Sequence, residues 1–269
     1  MWPVAAAEPR LKDVLARLES YLTAYEAQLS TLVAEEQYVQ WSGREGSESK
    51  RRTLTSDFGF LRLPGRLEWL GLRDTFSVDG EPVPDRQGRL DRLLVEGAAG
   101  QQDLARRIVE ENARYNIGIV ARTINVPMLA LDYLESRNRW RLSLHRRGEE
   151  EVEGRKAWAI SFEEKERPTL VRTTRGRSQP VHGLVWVAPA DGVVLRTEIA
   201  FDRLGDDSPA ARITVRYRQE AALGMLVPFE MRERYQMESG TSARTEIGAV
   251  ATYAKFRQFR ASGRIVSPQ

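Results

Sequence analysis

Leu11, Leu15, Leu18, Leu22, Tyr25, Leu29 and Leu32 follow one another in alternating steps of four and three. That spacing keeps an apolar stripe on one face of a helix over residues 9–33. Pro9 suits the first turn, where its missing N–H costs nothing. The stripe ends after about three heptads, which favours a long helix lying on a sheet over a coiled coil. The period then shortens to two. Residues 36–41 read as a strand, residues 42–52 as a charged loop with Gly43 and Gly46, and residues 54–63 and 67–78 as two more strands separated by a turn at Pro64-Gly65. Asp79-Gly80 is a turn signal, and Pro82 and Pro84 end regular pairing.

A helical insertion follows at about residues 89–134, with helical periodicity over 89–96, 101–115 and 127–134. From Arg139 onward the chain reads almost entirely as strand. Trp140, Leu142 and Leu144 alternate with Arg139, Arg141 and His145, and Trp158, Ile160 and Phe162 continue the habit. Further runs cover 183–187, 193–201, 211–218, 228–235 and 245–259. Apolar residues on one side with Arg, Glu and Thr on the other is the signature of an antiparallel sheet wet on one face. No linker or fixed-period repeat divides the chain, so one domain over residues 1–269 is expected.

Composition narrows the chemistry. The chain has 269 residues, 41% of them apolar, enough for a substantial core. It has no cysteine and two histidines, which excludes disulfides, thiolate metal sites, iron–sulfur clusters, a cysteine nucleophile and most histidine-rich metal centres. No metal or cofactor is expected. Cations number 41 and acids 38, and 36 of the cations are arginine. They interleave with acids, as in Glu230-Met231-Arg232-Glu233-Arg234, so the pattern reads as an ion-paired surface and not as a nucleic-acid patch. No apolar stretch reaches the length of a membrane helix.

The motifs of hydrolases, nucleotide-binding loops and zinc enzymes are missing from the sequence. His145 falls on the polar face of its strand and His182 in a turn, and neither has a nucleophile and an orienting acid within sight in the sequence. Glu149-Glu150-Glu151 and Glu163-Glu164 read as solvated hairpin ends, because their spacing does not match a calcium loop. The large aromatics carry more information. Trp69, Phe76, Trp140, Leu142, Trp158, Phe162 and Trp186 are expected on the apolar face of the sheet, and a face that large must be covered. The cover is either a dry core between sheet and helices or a partly open cavity lined by these residues.

The stretch His182-Gly183-Leu184-Val185-Trp186-Val187-Ala188-Pro189-Ala190-Asp191-Gly192-Val193-Val194-Leu195-Arg196-Thr197-Glu198 resembles a hairpin of the outer-membrane lipoprotein-carrier-like (LolA/LolB-like) superfamily. Val227-Pro228-Phe229-Glu230-Met231 resembles its Pro-containing strand, and residues 251–259, from Ala251 to Phe259, resemble the closing strand of related secreted bacterial proteins. The match lies chiefly within residues 139–265. The resemblance implies an α+β fold: a strongly curved antiparallel sheet, an unclosed half-barrel, with helices covering the concave face. It further implies a non-catalytic protein of the periplasm or cell envelope, or a secreted one, its signal peptide removed from this chain, binding a lipid or acyl chain or an envelope protein partner. Two roles follow. One is a carrier sheltering an apolar ligand between half-barrel and helices, with Gly97, Gly100 and Gly118 as hinges. The other is a protein-interaction module with a solid core, using a sheet edge or the arginine-rich face of Arg212, Arg216, Arg218, Arg232 and Arg234.

Overall fold

The computed structural model describes residues 8–44, 47–62, 69–84, 101–118, 120, 122, 124–173, 175–204, 209–239 and 243–258. Helix α1 spans Leu11–Leu29. It is followed by strands β1 (Leu32–Arg44), β2 (Ser47–Leu61), β3 (Leu70–Val78) and β4 (Glu81–Pro82). Among the described residues, three helices come next: α2 (Gln101–Ala113), α3 (Leu129–Leu134) and α4 (Ser136–Arg139). Seven strands complete the chain: β5 (Leu142–Val152), β6 (Arg155–Glu164), β7 (Val181–Val187), β8 (Val194–Phe201), β9 (Ala210–Glu220), β10 (Met225–Ser239) and β11 (Ala243–Gln258).

The strands form a single 11-stranded sheet in the order β4-β3-β2-β1-β11-β10-β9-β8-β7-β6-β5, antiparallel throughout and not closed. The first and last strands therefore meet mid-sheet, with Tyr38 opposite Ala251. The chain must travel from one edge of the sheet at β4 to the other at β5. That passage is what the helical insertion performs. Sheet curvature is visible in the side chains that α3 touches: Asp132 accepts a hydrogen bond from the Trp69 backbone N–H just before β3 (3.1 Å), while the Tyr133 ring stacks on Phe162 of β6 (centroids 6.5 Å). Those strands lie near opposite ends of the sheet order, and one short helix reaches both.

Cross-strand partners share a face, which fixes what is inside. Phe58, Tyr38, Ile160, Phe162, Val185, Ile213, Val215, Tyr217, Met231, Ala249 and Tyr253 are buried against α1 and α3 as one core cluster. Helix α1 buries Val14, Leu18, Leu22, Tyr25 and Leu29, with Tyr25 edge-on to Tyr217 (6.4 Å). The helix read from the sequence as reaching residue 33 ends at Leu29, four residues early, because Leu32 already opens β1 and is buried there as a strand residue. The turn between β7 and β8 also rests on α1: Arg17 donates to the Pro189 carbonyl (2.5 Å), and a Cβ at Gly192 would lie 2.2 Å from the Arg17 carbonyl carbon. Gly192 has φ +77 as well, so two constraints demand glycine there. Gly192→Ala should destabilise the protein by about 2 kcal/mol; a urea midpoint equal to wild type would show that the turn does not touch α1.

Several elements depart from the sequence reading for identifiable reasons. Of residues 42–52, expected as a charged loop, 42–44 and 47–52 are paired strand residues of a long β1–β2 hairpin, with Trp41 opposite Arg51 and Ser42 opposite Lys50. Residues 47–51 are all exposed, so the β2 side of the hairpin carries no alternation to read there. Trp140, expected in a strand, is the C-cap of α4, and β5 begins at Leu142. Helix α2 is only partly cover for the concave side. Its Ala105 and Ile108 pack with Leu70, Leu61 and Leu72, which point away from Phe58, Phe60 and Arg73 by register, so α2 wraps the outer edge of the sheet. The expected helix at 89–96, the Pro64-Gly65 turn, Gly97 and Gly100 lie outside the described residues.

Candidate functional site

Strand β3 pairs with β2 on one side but with the two-residue β4 only at its far end, leaving backbone groups at Gly71 and Arg73 to be satisfied elsewhere. Asn112 of α2 does this: its Oδ1 accepts from the Arg73 N–H (2.7 Å) and its Nδ2 donates to the Gly71 carbonyl (2.5 Å). The helix is thereby held beside the edge of β3, with a gap behind it. That gap is a cavity of about 500 Å³. Trp69, Leu70 and Gly71 line it from the sheet, Ile108, Val109 and Asn112 from α2, and Ile124, Val126, Leu129, Asp132 and Tyr133 from α3 and the segment before it. Leu170 and Val171, from the loop between β6 and β7, close it from the opposite limb of the half-barrel, with Asn138 and Arg141 beside them. The volume is in the range of small-molecule sites, and the lining is mostly aliphatic and aromatic.

One end of the cavity is charged. The Arg62 guanidinium lies over the Trp69 ring (4.8 Å), bridges to Glu26 (2.6 Å) and Glu135, and faces Asp132 at 3.7 Å. Arg137 pairs with Glu135 and also lies 3.7 Å from Asp132, and the Trp69 indole N–H donates to Glu135 (3.2 Å). Burial pushes the Asp132 carboxyl up to about 7, against the pull of the Trp69 N–H and the two arginines. Burial likewise raises Glu135. The cavity thus offers a hydrocarbon interior and, at one end, an acid poised between its two states at neutral pH.

Of the residues expected to line a cavity, Trp69 does so. Phe162, Trp158 and Leu142 contribute to the core on the concave side, the first two fully buried. Trp186 is on the opposite face: Val187, not Trp186, is the partner of Trp158. Its ring lies under the Arg196 guanidinium (3.5 Å), and its indole N–H donates to Glu150, a closed arrangement on the convex surface. Strand parity puts consecutive residues on opposite faces, so a bulky aromatic by itself does not reveal which face is dry. Phe76 is half-buried near the β3–β4 turn, where its carbonyl accepts from Val83. Trp140 is 64% exposed, with Arg141 against its ring (4.8 Å). Gly118, expected as a hinge, has φ +87 and presses on Ile247 of β11, where a Cβ would approach to 2.5 Å, so it is a packing contact. Sequence reasoning missed Ile108, Val109, Ile124, Val126 and Leu170, which belong to the insertion and to a loop. Only the helical period of residues 101–115 hinted at them.

The other half of the concave face holds a charged core. Glu36 and Arg73, both fully buried, form a bidentate ion pair (Nη2–Oε1 2.8 Å), and the Arg73 guanidinium covers the Tyr38 ring at 4.4 Å. Arg122 donates to the Tyr38 hydroxyl (2.8 Å) and to Gln40, and Tyr235 donates to Glu233 (2.8 Å). Burial raises the Glu233 carboxyl despite the nearby Arg122 and Arg73. These groups face each other across β3, β1 and β10 and are structural partners.

His145 and His182 do converge, in a second, polar cleft of about 580 Å³ outside the sheet with Ser143, Ser161, Glu163 and Asp202. The Ser143 hydroxyl is 2.9 Å from His145 Nε2, but the only carboxylate paired with a histidine among the described residues is Asp202, 3.8 Å from His182. Nucleophile, base and orienting acid are not assembled in one chain of hydrogen bonds. Among the described residues no group of three or more Asp, Glu or His side chains is placed to hold a metal ion, and no helix is long and apolar enough to cross a membrane. The arginine-rich face is largely neutralised: Arg212 pairs with Glu198, Arg216 with Glu153, Arg232 with Glu230 (2.8 Å) and Arg234 with Glu246 (3.4 Å), while Arg218 lies over the Phe229 ring (5.3 Å).

No family model matches the chain, and no curated protein matches it. Among solved structures it is similar to a protein described as an outer membrane lipoprotein-sorting domain from Vibrio parahaemolyticus, at 11% identity over 93% of this chain and 94% of that one, with a TM-score of 0.45. It is similar to a DUF1329 family protein from Desulfovibrio piger, at 11% identity over 93% and 95%, with a TM-score of 0.38. A LolA superfamily protein from Nitrosomonas europaea aligns at 10% identity over 96% and 97%, with a TM-score of 0.33.

Proposed function

We propose that this chain is a non-catalytic cell-envelope protein that shelters the hydrocarbon part of a lipid or acylated molecule in the cavity between β3, α2 and α3. The observation that carries this reading is the cavity itself: about 500 Å³, apolar over most of its wall, beside a sheet edge that is held open by Asn112. An acyl chain entering it gains roughly 0.8 kcal/mol for each methylene removed from water. The superfamily resemblance of the hairpin motifs supports an envelope setting. The neutralised arginines on the convex face give the interaction-module reading no comparable support.

The test is displacement of a fluorescent fatty acid, 11-dansylaminoundecanoic acid, from purified protein. Val109 is a half-buried lining residue on α2, and Val109→Trp fills the space without altering the sheet. Wild-type protein should enhance and blue-shift the probe's emission, and Val109→Trp should weaken binding at least tenfold with little change in melting temperature. Equal affinity in the two proteins, or no binding by the wild type together with no lipid in its native mass spectrum, would sink the reading.

A further inference from the structure

Two large apolar side chains are exposed among the described residues, Trp140 at 64% and Leu170 at 39%. They do not lie at unrelated places. Leu170 is part of the cavity wall, and Arg141, another lining residue, covers the Trp140 ring and donates to the Pro168 carbonyl (2.7 Å). The Lys165 backbone N–H donates to the Arg141 carbonyl (2.9 Å), so the segments 136–141 and 165–177 are bonded to each other beside the cavity mouth.

Those segments are also strongly basic. Residues 136–141 hold three arginines and no acid, and residues 165–177 hold five cations and one acid. Together they carry a surplus of seven positive charges in a chain whose total is +3, so the remainder is net negative. Part of the surplus is locally balanced, since Arg137 pairs with Glu135, Arg139 with Glu19 (2.6 Å), Arg141 with Glu164 (4.0 Å) and Lys165 with Glu163 (2.5 Å). Arg167 and Arg172 are exposed, and neither forms an ion pair within 4.0 Å among the described residues, although Arg167 pulls on the Glu164 carboxyl from farther off. An exposed tryptophan and an exposed leucine on two segments bonded to each other, with arginines on both, make the chemistry of a surface that sits at the boundary between lipid headgroups and acyl chains.

We infer that the rim of the cavity, Trp140 and Leu170 with Arg141, Arg167 and Arg172, docks on an anionic lipid bilayer. Charge attraction brings the rim to the headgroups, the two apolar side chains enter the interface, and the mouth of the cavity then faces the acyl layer and not water. This rests on the proposed cavity function, to which it adds the surface from which the ligand is taken or to which it is given. An acidic protein partner would use the same arginines but would not need the two apolar side chains to enter hydrocarbon.

Flotation with large unilamellar vesicles tests it, using the full chain. Wild type should float with vesicles of phosphatidylcholine and phosphatidylglycerol, much less with phosphatidylcholine alone, and release as salt is raised. Arg167→Gln with Arg172→Gln should weaken binding about thirtyfold. Trp140→Ser with Leu170→Ser should lower it by at least tenfold, whereas Arg212→Gln with Arg232→Gln on the convex face should change nothing. Failure of wild type to float, or flotation unaffected by both rim variants, overturns the inference, as does retention of full binding by the Trp140 and Leu170 variant alone, which would leave only a basic patch. The dansyl-probe measurement keeps the two claims apart: protein that binds the probe but ignores vesicles disproves docking alone, and protein that floats but takes no probe disproves the cavity function alone.

Discussion

Replacing Arg73 by methionine is expected to lower the melting temperature by about 10 °C, the equivalent of about 3–5 kcal/mol. The side chain is 1% exposed and its partner Glu36 is 0% exposed, so removing the guanidinium leaves a carboxylate in the half-barrel with no water and no counter-charge. Arg73 also covers the Tyr38 and Phe58 rings, at 4.4 and 5.5 Å, and methionine keeps part of that packing. The loss is therefore chiefly electrostatic. The double variant Arg73→Met with Glu36→Leu should recover most of the stability, because a buried ion pair repays little more than its own desolvation. Calorimetry of the single and double variants checks this; a single variant melting within about 2 °C of wild type would mean that Glu36 reaches water or another cation.

Asp132 should impose a pH dependence opposite to that of an ordinary ion-paired carboxylate. Its folded-state value is raised to about 7 from 3.8 by burial, so the folded protein holds the proton over a range in which the unfolded chain has released it. The contribution is most favourable below about pH 4 and is lost as pH rises through 7. Across that window it amounts to about 4 kcal/mol as an order of magnitude. Asp132→Asn keeps an oxygen to accept from the Trp69 N–H but cannot ionise, so it should be more stable relative to wild type at pH 8 than at pH 4. Glu233 and Glu135, also raised, give slopes of the same sign in both proteins, and the difference between the two denaturation curves isolates Asp132. Parallel curves from pH 4 to 8 would contradict the assignment.

The alternation of apolar and polar residues was sufficient to place most strands, because a sheet wet on one face writes its period into the chain. It was insufficient in two situations. Residues 47–51 of β2 bury no side chain, so Arg51 and Arg52 look like loop residues although their backbones are paired with Trp41 and Gln40. Trp186 looks like Trp158 in sequence, but the register sets it on the convex side, where it is buried with the Arg196 guanidinium over its ring and Glu150 accepting from its indole N–H. Fully buried charges were invisible for a related reason. Glu36 and Glu233 occupy inward positions of β1 and β10, and in a sequence an inward acid is indistinguishable from an error in phase until Arg73 and Arg122 are seen to face it.

The candidate site was legible only in its first residue. Trp69 could be named because it is large and close to a strand. Val109, Ile124 and Leu170 could not, since a cavity wall is made of ordinary aliphatic residues that happen to face a gap. The basic rim was hidden by the balanced charge of the whole chain, which conceals a surplus in residues 136–141 and 165–177.

By itself the sequence determined the α1 stripe, the long run of antiparallel strands and the absence of cysteine chemistry, all of which are written in residue type and period. The tertiary structure decided where the sheet curves, which face each aromatic occupies, and that residues 69–71, 108–112 and 170–171 meet around one space. The physical reason is that period encodes which side of an element is apolar, whereas a cavity depends on where elements from opposite ends of a bent sheet stop short of touching, and no local pattern records that distance.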